Sequence, residues 1–253
     1  ESVAGAFPGT SVEVTREYSN TFSCVALKAP AGSLDAIRAA SGVQGAFIDR
    51  ETHVSDVAGV DAECGFQATR LADQNPDNLS AQVIMHADQV SQRGQGKVVA
   101  IIDTGVDMTH PAFAGTLSGT PALSADKVAS LTPKLGDGKD GVYVNEKFPF
   151  AYDYADEDND ASPLEPHGTH VAGIAAANAG EIMGMAPDAQ IIVAKVEQDG
   201  GGMLDSALLA ALDDMAILHP DVVNLSLGQD AGMDNAADSL YAGVFETLQD
   251  KGI

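Results

Sequence analysis

The run Val98-Val99-Ala100-Ile101-Ile102 constrains this chain more than any other stretch. Uninterrupted apolar, mostly β-branched residues read as a strand covered on both faces, and such strands belong to parallel sheets with helices on either side. Asp103-Thr104-Gly105 closes the run, and open α/β sheets place their active sites at the C-terminal ends of their strands. Ile191–Val196 and Val222–Leu227 read as further strands, as does Phe148–Tyr154. Between them, a helix from about Asp205 sets Leu208, Ala211, Leu212 and Met215 on one face, and Pro220 follows its end. Another, about Asn235–Lys251, carries Leu240, Val244 and Leu248, with Gly252 as its C-cap. Strands alternating with helices predict an α/β fold with a doubly wound parallel sheet.

The tract His167-Gly168-Thr169-His170-Val171-Ala172-Gly173-Ile174-Ala175-Ala176-Ala177 opens polar and continues in small apolar residues. Gly and Ala suit a helix that other backbone must approach closely. The expectation is a buried helix with His167 in its first turn at the mouth of a cleft, held still as a catalytic base is held. His-x-x-His is a metal-pair spacing, but the Glu of the zinc peptidases does not follow, and His170 reads as a buried structural histidine.

The chain has 253 residues, enough for one large α/β domain or a large and a small one. Its 13 basic against 37 acidic residues give a net charge of −24, which argues against nucleic acid or an anionic membrane surface as a partner. No apolar run is long enough to span a membrane, and residue 1 begins no signal peptide. Cys24 and Cys64 are the two cysteines, and their spacing leaves pairing open.

Residues 1–57 read as a small α+β unit lacking an opening strand. Ser11–Thr15 and Thr21–Lys28 form strands around the turn Tyr18-Ser19-Asn20. Ser33 caps a short helix with Leu34 and Ile37 on one face, and Gln44–Val54 supplies a last strand. Residues 58–80 are a polar linker. Residues 81–253 form the larger domain, with a helix near Ala81–Arg93 and a loop-like surface excursion over 115–147.

Three strings fall in one order: Val98–Pro111, His167–Gly173 and Val222–Gly228. Together they closely resemble the subtilisin-like (subtilase) serine peptidases over roughly residues 80–253. The leading unit resembles that family's inhibitory propeptide through Val14–Tyr18 and Phe47–Arg50, and Phe148–Asp156 is similar to the lactocepin and C5a-peptidase group. The resemblance implies that Asp103 is the triad carboxylate and His167 the general base. A serine hydroxyl needs an imidazole to accept its proton, and the imidazole needs a carboxylate to fix its tautomer. It further implies that Leu225-Ser226-Leu227-Gly228 is an edge to which extended substrates add as a strand. Gly200, Gly201 and Gly202 would line the opposite side; a plain flexible loop is the other reading of that run.

The family's nucleophile motif, Gly-Thr-Ser-Met/Ala-Ala, and its oxyanion asparagine are not among these residues. Gly9-Thr10-Ser11 repeats three letters of the motif, but Val12-Glu13 follow, and it lies ahead of Asp103. The expectation is therefore a serine endopeptidase precursor seen as its N-terminal part and inactive by itself. Its partners would be protein or peptide substrates, its own propeptide at the cleft, and the remainder of the catalytic domain past Ile253. Secretion or a cell-surface location follows from the family. The alternative is a pseudoprotease or peptide-binding module, which has no need of Asp103 and His167.

No cofactor is required. Calcium is the one structural ion to consider, and Asp153, Asp156, Glu157, Asp158, Asn159 and Asp160 are the densest acidic loop. The stretch is not an EF-hand: Ala161 takes the Gly position and His167 the bidentate Glu position. Ala112 also stands where the family often has a calcium-binding Asp. A solvated acidic loop is the competing reading.

Overall fold

The computed structural model describes residues 11–52, 82, 84–179, 182–228 and 241–253. The leading unit contains β1 (Glu13–Tyr18), β2 (Cys24–Lys28), α1 (Leu34–Arg38) and β3 (Glu51–Thr52). Next come β4 (Val98–Asp103), α2 (Ala125–Leu131), β5 (Phe150–Asp153), α3 (His167–Ala176), β6 (Asn178–Ala179) and β7 (Ile182–Met183). The chain continues through β8 (Gln190–Lys195), β9 (Met203–Leu204), α4 (Asp205–Leu218), β10 (Val222–Leu225) and α5 (Ala242–Asp250).

The central sheet has the order β10-β4-β8-β5 and is parallel throughout. Alternation along β4 divides the core in two. Ala100 and Ile102 enter the layer built with Leu212 and Met215 of α4, Val244 and Leu248 of α5 and Val128 of α2. Ile101 enters the layer built with Ala172 and Ala176 of α3. Both isoleucines are fully buried, and each such side chain stabilises the fold by roughly 1.5–3 kcal/mol. The sheet is doubly wound, as its strand pattern requires.

The leading unit departs from the sandwich expected of it. β1 and β2 form an antiparallel hairpin, but α1 buries none of its residues and Ser33 makes no side-chain cap bond. Among the described residues the last strand is Glu51–Thr52, and it pairs with β9 of the larger domain rather than with the hairpin. Phe47 and Ile48, ahead of it, are exposed. A unit with so small a core is held by docking.

Its dock is α4. Twelve of the fourteen residues of α4 are buried, where one apolar face was expected. The hairpin covers the outer face. The Asp213 carboxylate accepts the backbone N–H groups of Ser19, Asn20 and Thr21 at 2.6–3.2 Å, and the Asn20 amide and Thr21 hydroxyl besides. The Tyr18 hydroxyl donates to the Ser206 carbonyl at 3.1 Å. Arg16, nearly buried, pairs with Asp137 and Glu157 and donates to the Tyr154 carbonyl.

The adjacent Asp214 faces the other way. It accepts the N–H groups of Gly136 and Gly138 at 2.6 and 2.8 Å and the Tyr154 hydroxyl at 3.1 Å. Burial pushes its pKa up to about 6 against the pull of those donors. The loop it anchors lies in the stretch read as a surface excursion. That stretch instead holds α2, two 3-10 turns and the buried Leu123, Val128 and Leu135. Ser124 caps α2 by accepting from Lys127 N, the one local signal of a helix there.

The helix expected near Ala81–Arg93 is shorter. Gln82 and Ile84 are helical, a 3-10 turn at Ala87–Gln89 follows, and Val90, in extended conformation, ends it. Residues 1–10, most of the 58–80 linker's surroundings and the linker itself lie outside the described residues, as do Cys64 and the Asn235–Leu240 part of the last helix. Within α5, Val244 and Leu248 are buried as expected, and Gly252 has φ +83° beyond its end.

Candidate active site

β4 and the first turn of α3 bring Asp103 and His167 together. His167 Nδ1 lies 2.7 Å from Asp103 Oδ1, with the carboxylate buried and the imidazole partly open to solvent. With Asp103 ionised, Nδ1 carries the shared proton and Nε2 is left as an acceptor. Thr104 N also donates to Asp103 Oδ1 at 2.8 Å, and the Thr104 hydroxyl accepts from Gly168 N at 3.0 Å. This satisfies one of the free N–H groups at the start of α3, which has Pro166 at its cap position and no side-chain cap.

Two glycines allow the approach. A Cβ on Gly168 would stand 2.2 Å from the Gly105 carbonyl oxygen. Gly105 has φ +97°, and a Cβ there would meet the Ala161 carbonyl oxygen at 2.7 Å. The expected close backbone approach to α3 is therefore real at its first turn. Gly173, by contrast, faces open space, and α3 buries only the stripe Gly168, Ala172, Ala176. Among the described residues it is a half-covered helix rather than one buried all round. His170 is likewise exposed, not buried. It lines an open cavity of about 410 Å³ with Asp107, His110 and Glu165.

The residues expected to hold substrate stand at the same end of the sheet. Leu225 is in register with Ile102, which carries Ser226 to the level of Asp103. The Ser226 hydroxyl accepts from the Asn224 amide at 2.9 Å. Leu227 is half-buried and Gly228 exposed. Gly200, Gly201 and Gly202 form a tight turn: Gly201 N donates to Gln198 O and Gln198 N to Gly202 O. Gly201 and Gly202 have φ +83° and +87°.

This glycine turn carries a strand from the leading unit. Glu51 pairs with Leu204 and Thr52 with Met203, and a Cβ on Gly202 would stand 2.2 Å from Glu51 Oε1. Asp49 Oδ1 accepts Ser206 N at 2.9 Å, and Arg50 O accepts Asp205 N at 3.1 Å. These two acceptors satisfy free N–H groups at the start of α4, where a carboxylate also meets the positive end of the helix dipole. Asp49 was identifiable in the sequence only as part of a string, not as a cap.

The acidic loop resolves differently from a metal site. Asp153, Asp156 and Asp199 have carboxylate oxygens within 4.8 Å of one another, the one such group among the described residues. Asp199 was not foreseen, because it comes from the loop after β8. Lys195 Nζ, however, lies 2.7 Å from both Asp153 Oδ2 and Asp199 Oδ1, and Asp156 Oδ2 accepts Asp199 N at 2.8 Å. An ammonium holds the place a calcium would take, so the cluster does not fit that ion. Asp158 and Asp160 do not join it. Each accepts a backbone N–H two residues on, from Asp160 and Ser162, in exposed turns.

Compared with known proteins, the chain matches the profile of the Subtilase family (Peptidase_S8) over residues 94–251. It is 38% identical over 169 residues to the PII-type proteinase of Lactococcus lactis subsp. cremoris, covering 60% of this chain and 8% of that protein. Against the C5a peptidase of Streptococcus pyogenes serotype M3 it is 32% identical over 148 residues, covering 55% and 12%. Against the minor extracellular protease Vpr of Bacillus subtilis it is 29% identical over 225 residues, covering 85% and 24%. That last span is too long for the profile-matched region alone, so the likeness continues into the residues ahead of it. The chain spans less than a third of each of these relatives.

Proposed function

Since the chain belongs to the Subtilase family, we propose that it is the N-terminal part of a serine endopeptidase precursor, with Asp103 and His167 as two members of its triad. The 2.7 Å bond between His167 Nδ1 and Asp103 Oδ1 carries this reading. It leaves Nε2 free to act as base at the end of the sheet where Gly202 and Ser226 also stand. The serine would come from chain beyond Ile253; relatives several times longer than this sequence support that.

In the reaction, the serine oxygen attacks the substrate carbonyl carbon while His167 Nε2 takes the hydroxyl proton. The same proton then passes to the departing amine nitrogen as the peptide C–N bond breaks. Asp103 holds Nδ1–H and stabilises the imidazolium in between. The charge it supplies is already buried and aligned, so little reorganisation accompanies the step.

Residues up to about 57 act as the prosegment in this proposal, and processing falls in the linker that follows. Pairing of Glu51–Thr52 with Met203–Leu204 supports it, since an extended strand at the glycine edge is the pose an extended substrate needs. Vpr of Bacillus subtilis is an extracellular protease, which supports secretion of this protein too. The test is Asp103→Asn in the longer protein, followed by intact mass. Loss of processing with the fold retained supports the reading; processing at the normal rate overturns it and leaves a peptide-binding module as the function to pursue.

A further inference from the structure

Two buried side-chain oxygens lack a hydrogen-bond partner among the described residues, Asp103 Oδ2 and Glu197 Oε2. Both belong to one place. Lys195 is in register with Asp103, and Val196 donates its N–H to the Asp103 carbonyl at 3.0 Å. Val196 turns into the core on the α4 side, which returns Glu197 to the Asp103 side. Glu197 then bridges antiparallel to Met203, the residue that pairs with Thr52 on its other edge. It thus stands between the catalytic pair and the edge that takes an extended strand.

The charges that act on Glu197 are those of Glu165, Lys195, Asp103 and His167. Lys195 is already bonded to Asp153 and Asp199, so its charge is shared with two other carboxylates. Burial raises the Glu197 pKa above the usual carboxylate value, and Glu165 and Asp103 raise it further, with Lys195 and His167 opposing. A buried carboxylate oxygen without a donor is costly and calls for a partner. With 13 basic residues against 37 acidic ones, the chain has few cations to spare.

We propose that Glu197 selects a positively charged substrate side chain next to the scissile bond, its carboxylate accepting from the ammonium of Lys or the guanidinium of Arg. The inference rests on the peptidase reading above. A carboxylate at this strand end discriminates charge, which an apolar side chain there would not.

The test uses the longer, processed protein and fluorogenic peptides that differ only in carrying Lys, Leu or Glu at one of the two residues on either side of the cleaved bond. At one of these positions Lys should exceed Leu by about tenfold in kcat/KM, with Glu below both. Glu197→Gln should bring the Lys/Leu ratio to about one, and Glu197→Leu should do the same. In the unaltered enzyme the ratio should fall as salt rises from about 0.05 to about 0.5 M. A Lys/Leu ratio near one at every position, or one that Glu197→Gln leaves intact, overturns the inference while the peptidase reading stands. Failure of the processed protein to cleave any peptide, with its fold intact by circular dichroism, overturns both.

Discussion

Gly168 approaches Asp103 so closely that a Cβ on it would stand 3.0 Å from Oδ1, the oxygen that His167 uses. The catalytic-type pair therefore depends on a missing side chain as much as on the two that are present. Gly168→Ala should force the start of α3 away from β4, because the Gly105 carbonyl is backbone and cannot swing aside. The expected loss is about 1–3 kcal/mol of stability, with the Asp103–His167 bond lengthened. A crystal structure of the variant showing that bond unchanged at 2.7 Å would count against this account.

Asp213 is the main polar tie between the leading hairpin and α4. Asp213→Ala would leave the N–H groups of Ser19, Asn20 and Thr21 without their acceptor, each at a cost of about 1–3 kcal/mol where water cannot reach it. Amide hydrogen exchange over β1 and β2 should accelerate strongly while β4 and β8 stay protected. Uniform exchange across both regions would show that the two do not separate.

Asp214 gives stability a defined pH dependence. Its folded pKa, about 6, lies above the ordinary carboxylate value of 3.8. The contribution is therefore fully present below about pH 4 and is lost as pH rises through 6. Denaturant melts at intervals between these limits should show the unaltered protein losing stability relative to Asp214→Asn. Parallel profiles would remove Asp214 as the source.

Lys195 supplies the cation for Asp153 and Asp199, so a chelator should leave the thermal midpoint unchanged. Lys195→Met should lower stability by about 3–5 kcal/mol, the usual effect of leaving a buried partner charge alone. With the ammonium gone, the three carboxylates become an open oxygen cluster, and added calcium should recover part of the loss. Calcium that stabilises the unaltered protein and not the variant would reverse the assignment.

The parts legible in the sequence were those written in local patterns. The apolar run of β4 predicts a strand buried on both faces, and that strand ends in Asp103 at the C-terminal end of the sheet. His167 followed from an Ala- and Gly-rich helix, although the reason for glycine turned out to be specific to Gly168. What escaped notice depends on contacts distant in sequence. Asp213 and Asp214 sit in a helix whose apolar spacing gives one face, and only the partners at 19–21 and 136–138 explain two buried carboxylates there. Asp199 joins Asp153 through a sheet register no spacing rule reveals. Of the strand expected over Gln44–Val54, the described residues hold Glu51–Thr52, and its partner lies in β9 rather than in its own unit.

The grip of Asp213 has a consequence for how such a protein can change over generations. Three of its donors are main-chain N–H groups, which every residue except proline possesses. Inheritance therefore has to preserve the carboxylate and the curve of the turn, while the letters at the turn are freer to drift. A leading unit held in this way can diverge in sequence faster than the domain that it accompanies and still be recognised by it.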